Sequence, residues 1–391
     1  MCHHPSAHES GAMTRVIIPA VPEDGDVIAV AAAIRLMGHE CDIWYQADYP
    51  QQELRTLSFG AGTDVEVRGR EDSPRNWLGY DVCWLRDLHP PFVDYAHVHP
   101  DDCAFVRHAS ERYFRQAWSL LSSPTVEGAP AFWANSLDSA RRAESKPLQL
   151  HLAGLAGFQV PPTLISNDID RIRSFIRASP GKVIRKSLFP HFWNEDDVSV
   201  TNRTSYILED DLPSDRAVRL YAEIYQAEVE KVTEVRVVFF GRTYAALEIS
   251  PGKEKGGRFV DWRIYHVPGL AQARRIEIPE EIFGCCQRIM KKLGIVTASF
   301  DFLVDARNQY WFAELNQGGL FLWMEKHGIP TLEMFANFLI NKGEAQSESS
   351  LSDDRLTLRK VQYTTEFEQL AACEARHLVP PRLMDNKDGA A

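Results

Sequence analysis

The sequence predicts a mixed architecture: an α/β amino-terminal domain, a small lid-like module and an α+β carboxy-terminal domain. Three observations carry this. Strand-like and helix-like segments alternate near the start, a short block punctuated by Pro and Gly follows, and in residues 231–341 long β-branched and aromatic strands alternate with two helices. The expected boundaries are 14–127, 128–230 and 231–341, with a linker and tail of unassigned structure over 342–391.

Taken in order, Arg15-Val-Ile-Ile-Pro-Ala reads as a buried strand, and the polar, His-rich residues before Met13 have no apolar period, so ordered chain is expected from there. Glu23-Asp-Gly-Asp suits a helix N-terminus, and the Ala/Val/Ile-rich run that follows stops at Gly38, ahead of the strand Cys41-Asp-Ile-Trp-Tyr. A third strand at Tyr80-Asp-Val-Cys-Trp-Leu-Arg and a helix from Ser110 to Leu121 complete the first domain. Pro147 opens a helix that Gly157 ends, Val160 to Ile165 is extended, Ile169 to Ile176 is a short helix, and Gly181 to Leu188 is a strand. In the last domain, strands Glu234–Phe240, Tyr244–Ile249, Thr297–Val304 and Tyr310–Leu315 alternate with helices Glu280–Leu293 and Leu332–Ile340.

Composition narrows the function. The 391 residues include 54 Asp plus Glu against 43 Lys plus Arg, and the resulting formal charge of −11 repels phosphate backbones, so no nucleic-acid partner is expected. No apolar run approaches the roughly 18 residues of a spanning helix, and the first dozen residues lack a signal-peptide core. No membrane partner and a cytoplasmic location are therefore expected. Seven scattered cysteines without a C-x-x-C pair read as reduced thiols. Walker-type, G-x-G-x-x-G, G-x-S-x-G and H-E-x-x-H motifs are absent. His89, His97, His99 and His108 fall in one loop-rich region without Cys or carboxylates at ligand spacing, which leaves them as surface or turn residues.

The chemistry concentrates in a hairpin, Ser299-Phe-Asp-Phe-Leu-Val followed by Tyr310-Trp-Phe-Ala-Glu-Leu-Asn. With Arg307 and Asn308 as a two-residue loop, Asp301 lies across from Glu314, and Asn316 shares the face of Glu314. Two facing carboxylates among Phe300, Phe302, Phe312 and Leu315 repel one another, and a divalent cation resolves the conflict; three oxygen donors without Cys or His suit Mg2+. A solvated hairpin whose carboxylates never meet is the competing account. Lys186 shares a strand face with Ile184 and Leu188, and Arg236 with Val238 and Phe240, so both cations point where apolar side chains go and call for an anion, supplied by a ligand or an internal carboxylate, with snorkelling as the alternative for the lysine. Lys146, Arg263 and the Gly-rich run Ser250 to Arg258 are weaker signals of the same kind.

Together and in order, these segments resemble the ATP-grasp superfamily, and more closely its peptide-maturase branch related to the microviridin ligases that cyclise graspetide precursors. The resemblance runs through Tyr80-Asp-Val-Cys-Trp-Leu-Arg-Asp, Phe132-Trp-Ala-Asn-Ser, Glu144-Ser-Lys-Pro-Leu-Gln-Leu, Phe158 to Asp168, Glu234-Val-Arg-Val, Asp261-Trp-Arg and Phe300-Asp-Phe through Glu314-Leu-Asn-Gln-Gly-Gly, covering residues 14–340. It implies an ATP-dependent ligase in which Lys146 and Lys186 contact ATP phosphates, backbone of Gln226, Ala227, Glu228 and Val229 meets the adenine, and Glu234 holds the ribose. Asp301, Glu314 and Asn316 would carry two Mg2+ ions, with Arg236 and Arg263 beside the γ-phosphate and the acyl phosphate. The implied reaction activates a carboxylate as an acyl phosphate and joins it to an amine or hydroxyl. The expected partner is a precursor peptide, or else a small carboxylate with an amine or hydroxyl acceptor; a silent nucleotide-binding regulator is the rival class, and a homodimer is compatible. Ala227 departs from the acidic residue usual at its position, and Gln317-Gly-Gly-Leu-Phe departs from the family's Pro-x-Gly-Gln-Trp-like continuation, which bears on the acceptor.

Overall fold

The structure, a computed structural model, describes residues 12–69, 75–88, 91, 93–188, 192–195, 198–201, 204–251, 271–344 and 355–379. It forms two compact units, one of residues up to Ala134 with Leu332–Val379 and one of Asn135–Thr331. The middle and last blocks therefore share a unit, and the helix Thr331–Ile340, expected in the third domain, joins the first unit from Leu332 onward.

In the first unit, strands β1 (Arg15–Ala20), β2 (Glu40–Tyr45), β6 (Val82–Trp84) and β7 (Phe132–Ala134) form a parallel sheet in the order β2-β1-β6-β7. Between β2 and β6, strands β3 (Glu53–Phe59), β4 (Thr63–Gly69) and β5 (Arg75–Asn76) make a separate antiparallel sheet, in addition to the strands expected from the sequence. The helix Gly25–Leu36 is capped by the Asp24 side chain and buried without interruption from Val27 to Ile34. An all-round apolar helix must be covered on more than its sheet side. The cover comes from the tail, where Leu358–Val361 and Thr365–Glu374 fold as helices packed on it, each started by a Thr side chain accepting a backbone N–H. A second difference lies in the helix Cys103–Leu121, which begins seven residues before the expected Ser110 on a solvent-facing first half; only Phe114, Ala117, Trp118 and Leu121 are buried.

The second unit holds two larger sheets. Strands β8 (Thr163–Ser166), β9 (Val183–Lys186), β12 (Ser205–Ile207) and β13 (Glu223–Ala227) form an antiparallel sheet ordered β12-β9-β13-β8, with its own small core of Ile169, Ile172, Val183, Ile207, Val218 and Tyr225. Strands β10 (Phe192–Glu195) and β11 (Val198–Thr201) pair with each other. The major sheet, ordered β16-β15-β14-β17-β18, is built from β14 (Lys231–Phe240), β15 (Thr243–Pro251), β16 (Ala271–Arg275), β17 (Thr297–Asp305) and β18 (Tyr310–Asn316). Helices Lys146–Ala156 and Glu280–Leu293 close one of its faces, where Phe300, Phe302 and Phe312 are fully buried. Burying each such ring contributes about 1.5–3 kcal/mol. Pro147 and Gly157 open and end the first of these helices as their types predict, Gly157 with φ 99°.

Candidate functional site

The register of the major sheet places Arg236, Asp301 and Glu314 in one row across β14, β17 and β18, and Val238, Ser299 and Asn316 in the next. Because side chains alternate, Glu234, Arg236, Ser299, Asp301, Glu314 and Asn316 share the face opposite the Phe core. The facing carboxylates are real, and each is offset by its own cation. One terminal nitrogen of Arg236 donates to both Oδ atoms of Asp301 at 3.1 Å, and Lys146 Nζ donates to Glu314 Oε2 at 3.0 Å. Asn316 Nδ2 donates to Glu314 Oε1 at 3.0 Å. Asp301 is 9% exposed, so its charge stands only with such a partner.

A two-residue loop predicts this pairing, but the structure reaches it by another route. The loop has three residues, Ala306 to Asn308; Asp305 N–H donates to Gln309 O at 3.2 Å, and Asn308 takes the left-handed conformation at φ 61°. That pairs Phe302 with Phe312 and Leu303 with Trp311, one step off. A bulge between Asp301 and Phe302 then restores Asp301 opposite Glu314, leaving Ala313 as the extra residue. The bulge turns Phe312 into the core while Glu314 stays on the polar face. Asp305 anchors the loop: its Oδ1 accepts Arg307 N–H at 2.9 Å and Gln309 N–H at 3.0 Å, and its Oδ2 accepts Trp311 Nε1–H at 3.1 Å. The Gln309 amide first, then the Trp311 indole, hold this carboxyl below its ordinary value.

Residues outside the hairpin fix its position. Gln149, 1% exposed, pairs with the outer edge of β18 as a strand would: its Nε2 donates to Leu315 O at 2.8 Å and its Oε1 accepts Leu315 N–H at 3.1 Å. Asn135 Nδ2 donates to Thr297 O at 2.8 Å and Gln317 O at 3.2 Å, while its Oδ1 accepts Val296 N–H at 2.8 Å. Both lie in segments whose resemblance was noted from sequence, and neither carries a periodic signal of its own. After Asn316 the chain passes so close to β17 that a Cβ on Gly319 would lie 2.9 Å from Arg236 Nη2 and nearer still to Ser299 Oγ. A side chain has no room there.

The remaining expected residues fall into two groups. On the smaller sheet, Lys186 Nζ donates to Gln226 Oε1 at 2.9 Å, and Gln226 Nε2 to Thr163 Oγ1 at 2.9 Å. Glu228 Oε1 accepts Tyr206 O–H at 2.6 Å. In the segment expected to meet adenine, Ala227 N–H is taken by Pro162 O at 2.9 Å and Glu228 N–H by Lys182 O at 2.8 Å, while the Val229 carbonyl accepts Lys231 N–H at 2.8 Å. The strand β13 itself is paired on both sides, with β8 and with β9. On β14, Glu234 Oε1 accepts Lys231 Nζ–H at 2.7 Å with both side chains buried, so Lys231, which the sequence reading missed, sets the charge of that position. Arg263 and the Gly-rich run from 252 onward lie outside the described residues, as does His89. His99 serves a turn, accepting Asp101 N–H at 3.3 Å.

A divalent ion fits this face. Among the described residues no group of three or more His, Cys, Asp or Glu side chains is placed to hold a metal, and this face would offer an ion two carboxylates and one amide. An all-oxygen set too small to cage an ion suits Mg2+, which keeps waters and shares its shell with phosphates. Ser299 Oγ, buried beside this row, has no hydrogen-bond partner among the described residues.

No protein-family model matches the chain, and no curated protein matches it in sequence. Solved structures do. A Chryseobacterium gregarium RiPP-associated ATP-grasp ligase, solved in complex with ADP and a leader and core peptide, superposes with a TM-score of 0.72 at 20% identity, covering 87% of this chain and 100% of that one. The macrocyclase MdnC of Microcystis aeruginosa MRC, bound with precursor peptide MdnA, gives 0.68 at 22% identity, covering 84% and 100%. The ATP-grasp ligase PsnB, complexed with a phosphomimetic variant of its minimal precursor, Mg and ADP, gives 0.62 at 22% identity, covering 84% and 98%. The fold is that of the ATP-grasp ligases, with mixed α/β content, as the resemblance implied. Among the described residues no helix is long and apolar enough to cross a membrane.

Proposed function

We propose that this protein is an ATP-dependent ligase that joins a side-chain carboxylate of a precursor peptide to an amine or hydroxyl of the same peptide, releasing ADP and phosphate. The observation that carries the reading is the row Arg236, Asp301, Glu314, with Lys146 and Asn316 bonded to its outer carboxylate. Four charges gathered on one half-buried sheet face are costly unless they serve a charged ligand. The ligated neighbours support the choice of ligand: PsnB is complexed with Mg and ADP, and MdnC with its precursor peptide.

In this reading Asp301, Glu314 and Asn316 would hold Mg2+, proposed as two ions, and the metal would offset the charge of the ATP phosphates. Nucleotide binding exchanges partners: Lys146 leaves Glu314 for a phosphate oxygen, and Arg236 turns from Asp301 toward the γ-phosphate. Both cations are already held at the face where charge will move, so each changes its partner rather than its place. Lys186 moves from Gln226 to a phosphate, Val229 N–H meets the adenine, with carbonyl contacts from Gln226 to Glu228, and Glu234 takes the ribose hydroxyls. A substrate carboxylate oxygen attacks the γ-phosphorus and ADP leaves; the acyl phosphate is stabilised by Arg236 and Arg263. A lysine amine or Ser/Thr hydroxyl then attacks the acyl carbon, loses its proton and expels phosphate, giving an amide or ester. The cytoplasm, where ATP is supplied, is the proposed place of action.

The test is to incubate the full chain with Mg-ATP and a panel of peptides carrying Asp or Glu together with Lys, Ser or Thr, following ADP and peptide mass together. ADP with loss of one water per bond from a single peptide supports the intramolecular reading. A heavier adduct formed only with a second amine replaces it by an intermolecular ligase, and no ADP with any acceptor replaces it by a nucleotide-binding protein without turnover.

A further inference from the structure

The tail of the first unit carries a second cluster of reactive side chains, independent of the nucleotide-site face. Just after the helix Thr365–Glu374, His377 Nε2 lies 3.8 Å from Cys373 Sγ, and its Nδ1 lies 2.5 Å from Oδ2 of Asp48, a residue only 7% exposed. Asp48 Oδ1 accepts Leu378 N–H at 2.9 Å, so the carboxylate is held on both oxygens. Arg376 Nη2 donates to Cys373 Sγ at 3.2 Å, and the Tyr45 ring lies over the imidazole with centroids 4.2 Å apart. Thiol, imidazole and carboxylate are thus linked in series, the arrangement in which a base poises a nucleophile and a third group orients the base. Among the described residues, the other charged and titratable groups facing the cluster are Tyr45 and Glu374, bonded to each other at 3.4 Å, with Glu23 and Asp24 acting on Glu374.

We propose that Cys373 is a nucleophilic thiolate, paired with a protonated His377 that Asp48 orients, and that it is the site of reversible S-thiolation by low-molecular-weight disulfides. The thiolate attacks one sulfur of the disulfide; one S–S bond breaks, one forms to Cys373, and the expelled thiolate takes a proton from His377 or water. No net oxidant is needed beyond the disulfide itself. A helix C-terminus disfavours an anion, so the neighbours must overcome both position and burial. They do: burial pushes the Cys373 thiol up, yet the bonds from His377 and Arg376 bring it below its ordinary value. Burial pushes His377 down, yet the bonds to Asp48 and Cys373 raise it. Among the described cysteines, Cys41, Cys83, Cys285 and Cys286 are buried and raised, and half-buried Cys103 has only a backbone carbonyl, His99 O at 3.5 Å, on its sulfur.

Cys103 is therefore the internal control. The full chain is treated with iodoacetamide, and separately with oxidised glutathione, between pH 5.5 and 9, with adducts at each cysteine quantified by mass. At pH 6.5 Cys373 should react about tenfold faster than Cys103 with either reagent, and His377→Gln should remove most of that advantage and move the rate profile toward higher pH. Cys373→Ser checks the assignment of the adduct. Equal rates at Cys373 and Cys103 in the unmodified sequence overturn the proposal whether or not the variants fold. An unshifted profile in a folded His377→Gln chain overturns it as well.

Discussion

The two faces of the major sheet are made by the same three strands and do opposite things. Toward the helices, Val235, Val237, Phe239, Phe300, Phe302 and Phe312 are almost wholly buried in one hydrophobic cluster. On the other face, Arg236, Asp301, Glu314 and Asn316 sit at the alternate positions with charges paired one to one. The comparison separates two kinds of work: the apolar face supplies stability, and the polar face spends some of it to hold charges in register. Substitutions should respect that division.

Phe302→Ala should have the largest effect, a loss of about 3–5 kcal/mol in chemical denaturation, because its 0% exposed ring leaves a cavity in a packed core. Deletion of Ala313 should come next and breaks the comparison deliberately. Without the extra residue, either Phe312 turns to the polar face or Glu314 leaves its place opposite Asp301, so stability and nucleotide binding should fall together although no functional side chain is removed. Retention of both in a calorimetric titration would show the bulge to be incidental. Gln149→Leu should cost less, about 1–3 kcal/mol, by leaving the Leu315 N–H and carbonyl unpaired, with hydrogen exchange accelerated at the Leu315 amide.

The smallest effect should be a pH dependence at the loop. Asp305 has a lowered carboxyl value when folded, so its contribution is present above the unfolded value of about 4 and is lost as pH falls through the lower folded value. The Trp311 indole resonance should titrate in that acidic window and become flat in Asp305→Asn.

The facing carboxylates were legible because alternation and a short turn together place Asp301 against Glu314, and two one-residue differences, the longer loop and the bulge, cancel at that pair. The sign of the loop was Asn308, a residue type that tolerates the left-handed conformation it adopts. The folded tail was not legible from its own composition, yet the helix Gly25–Leu36 signalled it: a segment apolar on every side requires a second covering layer. Gln149 and Asn135 escaped as positioning residues because a side-chain amide acting as a surrogate strand leaves no periodicity; only the fold brings Gln149 to Leu315 and Asn135 to Gln317. Lys231 escaped because a cation is recognised as functional only once its buried partner Glu234 is known.

The polar face is proposed as a magnesium-nucleotide site, and Glu314 offers the cleanest test because its pair with Lys146 is partly exposed, 28% and 24%, and its removal should change stability by no more than about 1 kcal/mol. The measurement is calorimetric titration of ADP with and without Mg2+, in the unmodified chain and in Glu314→Gln. Magnesium should tighten ADP binding in the unmodified chain, and that gain should disappear in a Glu314→Gln protein of unchanged melting behaviour. The same gain from magnesium in both proteins would contradict the account.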